Sequence, residues 1–206
     1  MGRPSNTTQR RVEIVDGLLK VMASEGYAGA SIVAIARAAG LRSGLIHYHF
    51  ESKQAILVAL VERLAEGLES RYVARLAGRQ LPPRARLENW IDAQLALGEG
   101  ADAEAVRAWV FVGAEALRQS EVREVYERAI RERLARAESL VRRTLEDEGR
   151  SPQRARHIAA LLLASVEGSY KLGASVPAAL PQGFAAPTLR DALARLLDAE
   201  PSQKAP

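Results

Sequence analysis

The 206-residue chain contains no cysteine. That absence excludes a disulfide framework, a thiolate zinc site and a cysteine nucleophile. Long apolar runs are also missing. The longest, Ile158 to Val166, is followed at once by Glu167 and soon by Lys171, well short of the roughly 18 apolar residues that a membrane helix needs. The opening MGRPSNTTQRR carries no apolar core of signal-peptide length. A cytoplasmic protein without a membrane partner is therefore expected. Histidines number three, and there is neither a glycine-rich phosphate loop nor a Ser/His/Asp order suited to catalysis. An enzyme using a C-terminal cavity is the remote alternative, and no cofactor is implied. Alternation with period two is absent, which leaves no strand to expect.

What is present is a chain with 48% hydrophobic and 26% charged residues, rich in Ala, Leu, Arg and Glu, all good helix formers. The pattern predicts an all-α protein of about nine helices, with a three-helix N-terminal domain over residues 1–52 and a larger helical bundle over 53–206. The first helix spans about Thr8 to Ser24 and stops at Gly26. Ser31 caps a short second helix reaching Ala39, Gly40 breaks it, and a third short helix runs from Arg42 to Tyr48. Ser52 caps a long fourth helix ending near Leu76. Leu81-Pro82-Pro83 is a linker. A fifth helix carries Leu87, Trp90, Ile91 and Leu95, and Gly98-Glu99-Gly100 ends it. A sixth carries Val106, Trp109, Val110 and Leu117. Ser120 opens the seventh, where Glu124–Arg128 and Glu127–Arg131 stand at i,i+4. Ser151-Pro152 reads as the start of the eighth, and Pro187 opens the ninth. The last residues, SQKAP, are expected to fray.

Charge is uneven. Residues 1–53 hold seven Lys and Arg against four Asp and Glu, and the remainder holds twenty-two against twenty-one. A basic surplus at one end favours a polyanion. The same end carries two short helices joined through AAG-LRSG, a helix-turn-helix pattern whose second helix enters the major groove. Ile46 and Phe50, four apart, should pack that helix onto the first. Gly44, Leu45, His47 and Tyr48 then face outward. His47 can donate or accept at a base edge, Tyr48 can bond a base or phosphate, Leu45 can touch a thymine methyl and Gly44 permits close approach. Arg42, Ser43, His49 and Lys53 ring this face and suit phosphates. So does the helix N-terminus capped by Ser31. His47 and His49, two apart on a helix, point in different directions and make no metal pair.

The run EGYAGASIVAIARAAGLRSGLIHYHFESKQAIL resembles the TetR family of transcriptional regulators over about residues 8–60. The resemblance implies a helix-turn-helix head, a divergent helical body that binds a small-molecule effector, and a homodimer on double-stranded operator DNA. It implies a repressor, or an activator of the same fold. By that resemblance Ser31 and His49 fall at phosphate-contacting positions, Lys53 at the lysine opening helix four, and Ser43, Gly44, His47 and Tyr48 at base-reading positions. Leu45 stands where the family often has Thr, and His47 where it often has Tyr, so base preference does not carry over. Val33 and Ala34 replace residues that are usually polar. The GRP at residues 2–4 could be a minor-groove arm or a plain tail.

Trp90, Trp109, Phe111, Tyr126 and Tyr170 are candidates to line the effector cavity, although aromatics at helical spacing are more often core. Glu115 and Glu167 lie in largely apolar helices, where a carboxylate needs a cationic ligand, an internal arginine or water; surface exposure is the simplest reading of either. The eighth helix is apolar nearly all round, which one buried face does not explain. Its Leu161, Leu162, Ser165, Val166 and Leu172, with Leu189, Leu193 and Leu196 of the ninth, are expected to form a two-fold four-helix interface.

Overall fold

A computed structural model describes residues 6–95 and 102–203. The proposed arm at residues 2–4 and the break at Gly98–Gly100 lie outside them. Nine α-helices occur among the described residues: α1 Asn6–Gly29, α2 Ile32–Ala38, α3 Ser43–His49, α4 Lys53–Leu76, α5 Pro83–Leu95, α6 Ala103–Ala116, α7 Ser120–Asp147, α8 Ala155–Ser175 and α9 Ala185–Asp198. A 3-10 turn, Pro177–Ala179, precedes α9. No described helix is long and apolar enough to cross a membrane.

Contacts divide the chain into two compact units. One comprises residues up to Glu66 together with Asp102–Ala129, and the other runs from Gly67 to Leu95 and from Ile130 onward. The division falls inside α4 and α7, whereas the sequence pattern places one boundary before Lys53. The physical reason is α6, which packs along α1.

In the first unit, α1 buries Ile14, Val15, Leu18 and Met22 against α2, α3 and α6. The helix breaks at Gly26, whose φ of 71° and ψ of 176° suit glycine. The Phe111 ring of α6 lies against it, 3.2 Å from where a β-carbon would stand. Gly17 allows α1 and α2 to touch. A β-carbon there would sit 2.6 Å from the Ile35 carbonyl oxygen. Ser31 caps α2, its Oγ accepting from the Ala34 amide at 3.1 Å. Ser52 does the same for α4, accepting from Ala55 at 3.0 Å. Asp102, which no sequence signal singles out, caps α6 by accepting from the amides of Glu104 and Ala105. Arg128 reaches Glu62 of α4 at 3.0 Å, a cross-helix pair in place of the expected intrahelical one with Glu124.

In the second unit, α5, α8 and α9 pack together around Leu87, Trp90, Ile91, Leu162, Val166, Leu193 and Leu197. Arg84 of α5 grips Glu148, just past the end of α7, through two bonds of 2.6 and 2.7 Å and also donates to Asp198 of α9 at 2.9 Å. These carboxylates raise its pKa further. Two local expectations are corrected. Helix α8 begins at Ala155, after a turn in which the Ala155 amide donates to the Pro152 carbonyl at 3.0 Å, and the Ser151 amide donates to the Pro201 carbonyl at 2.8 Å. Of the tail expected to fray, Ser202 bridges Arg150 and the Gln203 amide donates to the Gly149 carbonyl at 2.7 Å, while residues 204–206 lie outside the described residues. Arg150 adds bonds to the carbonyls of Asp198 and Glu200.

The residues expected on the outward face of α8 and α9 divide. Leu162, Val166 and Leu193 are buried within the chain itself. Leu161 and Leu172 are exposed, and Ser165, Leu189 and Leu196 are half-exposed.

Candidate nucleic-acid interface and effector region

Helix α3 has seven residues, too short to be stable by itself in water, so its neighbours must hold it. Ile46 is fully buried and Phe50 nearly so. Arg11 of α1 fastens the C-terminal end from outside. Its guanidinium lies 4.0 Å from the centre of the Phe50 ring and donates to the His49 carbonyl at 2.5 Å. That carbonyl is one of the helix's unsatisfied acceptors, and the cation also suits the negative end of the helix dipole. In the sequence Arg11 reads only as part of a basic cluster, because its partners lie almost forty residues away.

With Ile46 and Phe50 inward, the other face of α3 is free. Tyr48 is 79% exposed and Leu45 40% exposed, and Gly44 and His47 are also exposed. A β-carbon on Gly44 would meet nothing within 4 Å. Arg42 is exposed at the N-terminal edge and Ser43 is half-exposed. Among the described residues neither Arg42 nor the exposed Arg37 of α2 forms an ion pair, unlike Arg10, which pairs with Glu13 at 2.7 Å. The His49 ring meets Tyr48 edge-on, with centroids 5.0 Å apart, and its Nδ1 is buried without a hydrogen-bond partner among the described residues.

Lys53 also has a partner within the chain. Its ammonium donates to the Tyr27 carbonyl at 3.0 Å and lies 4.1 Å from the centre of the Tyr27 ring. It therefore ties the start of α4 to the end of α1. Burial raises the Tyr27 phenol, and the Gln119 side chain bonds it.

The seven aromatic and acidic residues expected in the effector region divide between the units. In the first, Trp109 is buried and packs on Tyr126 with centroids 5.1 Å apart, and Tyr126 closes over Gly113. Phe111 covers Gly26, and Glu115 accepts from Gln119 at 2.8 Å. Packing within the unit thus occupies these four.

In the second unit a polar cluster interrupts the core. Arg133 of α7, 8% exposed, forms an ion pair with Glu167 of α8. It also donates to the Gln94 side chain at 2.9 Å. The Tyr170 hydroxyl donates to the Gln94 carbonyl at 2.8 Å, and the guanidinium lies 6.0 Å from the Tyr170 ring centre. Burial pushes the Tyr170 phenol up to about 12, so it stays neutral. Glu167 is thus drawn inward by an internal arginine, where surface exposure is the simpler expectation. Trp90 is fully buried in the same unit. Gln94 carries no signal in the sequence, because a glutamine on a helix reads as solvated surface.

The family described as bacterial regulatory proteins, tetR family, matches residues 14–60. A second, the BetI-type transcriptional repressor C-terminal family, matches residues 83–198. The chain belongs to the TetR family. Similar curated relatives include the HTH-type transcriptional regulators BetI of Rhizobium meliloti, 33% identical over 128 residues, and of Agrobacterium fabrum, 31% identical over 128 residues. Each alignment covers 61% of this chain, and the chain spans about 62% of the first relative's length and 61% of the second's. Among solved structures, a transcriptional regulator from Rhodococcus sp. Rha1 superposes with a TM-score of 0.79 at 21% identity, covering 95% of this chain and 99% of the other. A regulator from Saccharomonospora viridis in complex with choline gives 0.76 at 23% identity, covering 93% and 97%. These two likenesses concern the TetR fold.

Proposed function

We propose that this TetR-family chain is a homodimeric repressor that occupies an operator through α3 and leaves it when a small ligand binds the C-terminal part. The observation that carries the reading is the inward anchoring of Ile46 and Phe50, which leaves Leu45, His47 and Tyr48 exposed on one short helix. In this role Leu45, His47 and Tyr48 meet base edges, and Gly44 lets the backbone approach. Ser31, Arg42, Ser43, His49 and Lys53 face phosphates, and Lys53 also braces α4 against Tyr27. Repression is preferred over activation because the C-terminal match is to a repressor family.

Dimerisation through α8 and α9 supplies the two-fold symmetry. Exposed Leu161, Ala164 and Leu172, with Ser165 and Gly168, give α8 an apolar and partly small-residue outer face. Leu189 and Leu196 extend it on α9. The Ser165 and Ser169 hydroxyls donate to carbonyls of their own helix at 2.8 Å, so a partner helix need not satisfy them. Two heads must then present α3 to major grooves about 34 Å apart, or a multiple of that.

The effector reading rests on the Arg133–Glu167–Tyr170 corner, which already holds one cation beside an acid and an aromatic ring. A small organic cation of the kind bound by the Saccharomonospora viridis regulator would compete with Arg133 for the same groups. Binding lowers operator affinity only if it favours a head spacing that the operator does not fit.

Fluorescence anisotropy of the DNA upstream of this chain's own coding region tests both parts. Sequence-selective binding should fall steeply with salt, by about 0.9 in the log–log slope for each phosphate neutralised. Choline should raise the thermal midpoint and release the DNA, and Glu167→Gln should abolish both effects. Loss of the choline effect alone would remove the cation reading and leave operator binding standing. Absence of sequence-selective binding at every salt concentration would remove the whole.

A further inference from the structure

A cleft of about 220 Å³ opens in the second unit between the α4–α5 linker, α5 and α7, lined by Leu81, Pro83, Arg86, Leu140 and Arg143. It shares no residue with the Arg133–Glu167–Tyr170 cluster. Three of its walls are apolar, and the other two bring guanidiniums.

Neighbouring arginines are differently placed. Arg84, two residues before Arg86, is held by Glu148 and Asp198. Arg142, beside Arg143, pairs with Glu138 at 3.1 Å. Arg136, two turns before Arg143, pairs with Glu69 at 2.6 Å. Among the described residues, Arg86 and Arg143 have no carboxylate partner. Arg86 spends its Nε on the Leu81 carbonyl at 3.0 Å, which fixes the fork and leaves its two terminal nitrogens to donate. Both guanidiniums act on one buried group. Burial, with a smaller push from Glu69, raises the Tyr72 phenol, and Arg136, Arg86 and Arg143 pull it back down. Arg86, half-buried, and Arg143, exposed, both line the cleft, so two like charges border a partly apolar recess, an arrangement that an anion stabilises.

We propose that this cleft binds a small monoanion bearing a short apolar tail, with the acid group between Arg86 and Arg143 and the tail along Leu81, Pro83 and Leu140. The volume is below the roughly 300–1,000 Å³ of sites for drug-sized ligands, which confines the tail to a short chain. Two guanidiniums supply charge-assisted hydrogen bonds that an alcohol cannot use and an ammonium opposes. The site is independent of the operator-binding reading.

Calorimetric titration of the full chain with octanoate, octylammonium and inorganic phosphate tests it. Octanoate should bind at millimolar concentrations or below, octylammonium should not, and phosphate should bind at least tenfold more weakly because it has no tail. The variant R86Q/R143Q, with its helical circular dichroism unchanged, should lose at least tenfold in octanoate affinity. Octanoate binding that is equal in the wild type and R86Q/R143Q would overturn the proposal, as would its failure to bind the wild type. Equal binding of octylammonium and octanoate would do so too, since it would show a greasy surface without charge selection. Misfolding of the double variant would transfer the decision to the wild-type comparison of the three probes.

Discussion

Gly17 and Gly44 are both glycines in the head, and they do opposite work. At Gly17 the α1–α2 crossing leaves no room: a β-carbon would meet the Ile35 backbone oxygen at 2.6 Å and the Ala39 β-carbon at 3.0 Å. Backbone cannot swing aside as a flexible side chain can. Gly17→Ala should therefore destabilise the protein by about 1–3 kcal/mol, read as a lowered midpoint in chemical denaturation. At Gly44 the space is open and the backbone is helical, so Gly44→Ala should not destabilise the protein and should raise its stability by at most about 0.8–1.0 kcal/mol. If the backbone lies close to DNA, the added methyl should still weaken operator affinity several-fold in a binding titration. The sequence distinguishes these two positions poorly. The spacing of Ile46 and Phe50 reveals which way α3 faces, because helical periodicity is local. Gly17, Arg11 and Lys53 are decided by partners roughly twenty to forty residues away, and no local pattern carries that information.

The helices themselves are legible from capping and periodicity, since Ser31 and Ser52 both accept from the amides expected of cap residues. Their packing partners are not. Helix α6, which the sequence pattern places in the body, lies along α1, with Phe111 over Gly26 and Tyr27 beside Gln119. An apolar stripe says that a helix is covered, not by what. The start of α8 departs from the Ser151-Pro152 signal because residues 152–155 close a turn first, the Ala155 amide donating to the Pro152 carbonyl. Helix α4 offers a test at this scale. The division between the units falls at Gly67, an exposed helical position with nothing near its missing β-carbon. Glycine there costs the helix about 0.8–1.0 kcal/mol relative to alanine. Gly67→Ala should raise stability by roughly that amount, seen as a higher thermal midpoint; an unchanged or lower midpoint would mean that α4 is not a regular helix at this point.

At the scale of the whole molecule, the chain's own core explains half of the apolar excess of α8. Leu162 and Val166 turn inward, while Leu161 remains 54% exposed and Leu172 46% exposed. A second copy is the proposed cover. Leu161→Arg should convert the dimer to a monomer in sedimentation equilibrium, leave the helical signal intact, and cut operator affinity by orders of magnitude, because two half-sites no longer act together. A variant that stays dimeric would move the interface elsewhere. The basic surplus of the N-terminal segment is modest, with seven cationic and four acidic residues through Lys53. Net charge by itself therefore gives little specific attraction, and recognition must rest on the side chains that α3 presents.

The most direct measurement is a pair of titrations on the double variant His47→Ala/Tyr48→Ala, one with operator DNA and one with an unrelated duplex of equal length. Both side chains are exposed, so the variant should melt at the wild-type temperature. Its preference for operator over unrelated DNA should shrink by about 1–3 kcal/mol for each base edge it no longer reads, while the salt-dependent affinity for unrelated DNA stays nearly as it was. A variant that keeps the full wild-type preference would contradict the reading of α3 as the element that selects the sequence.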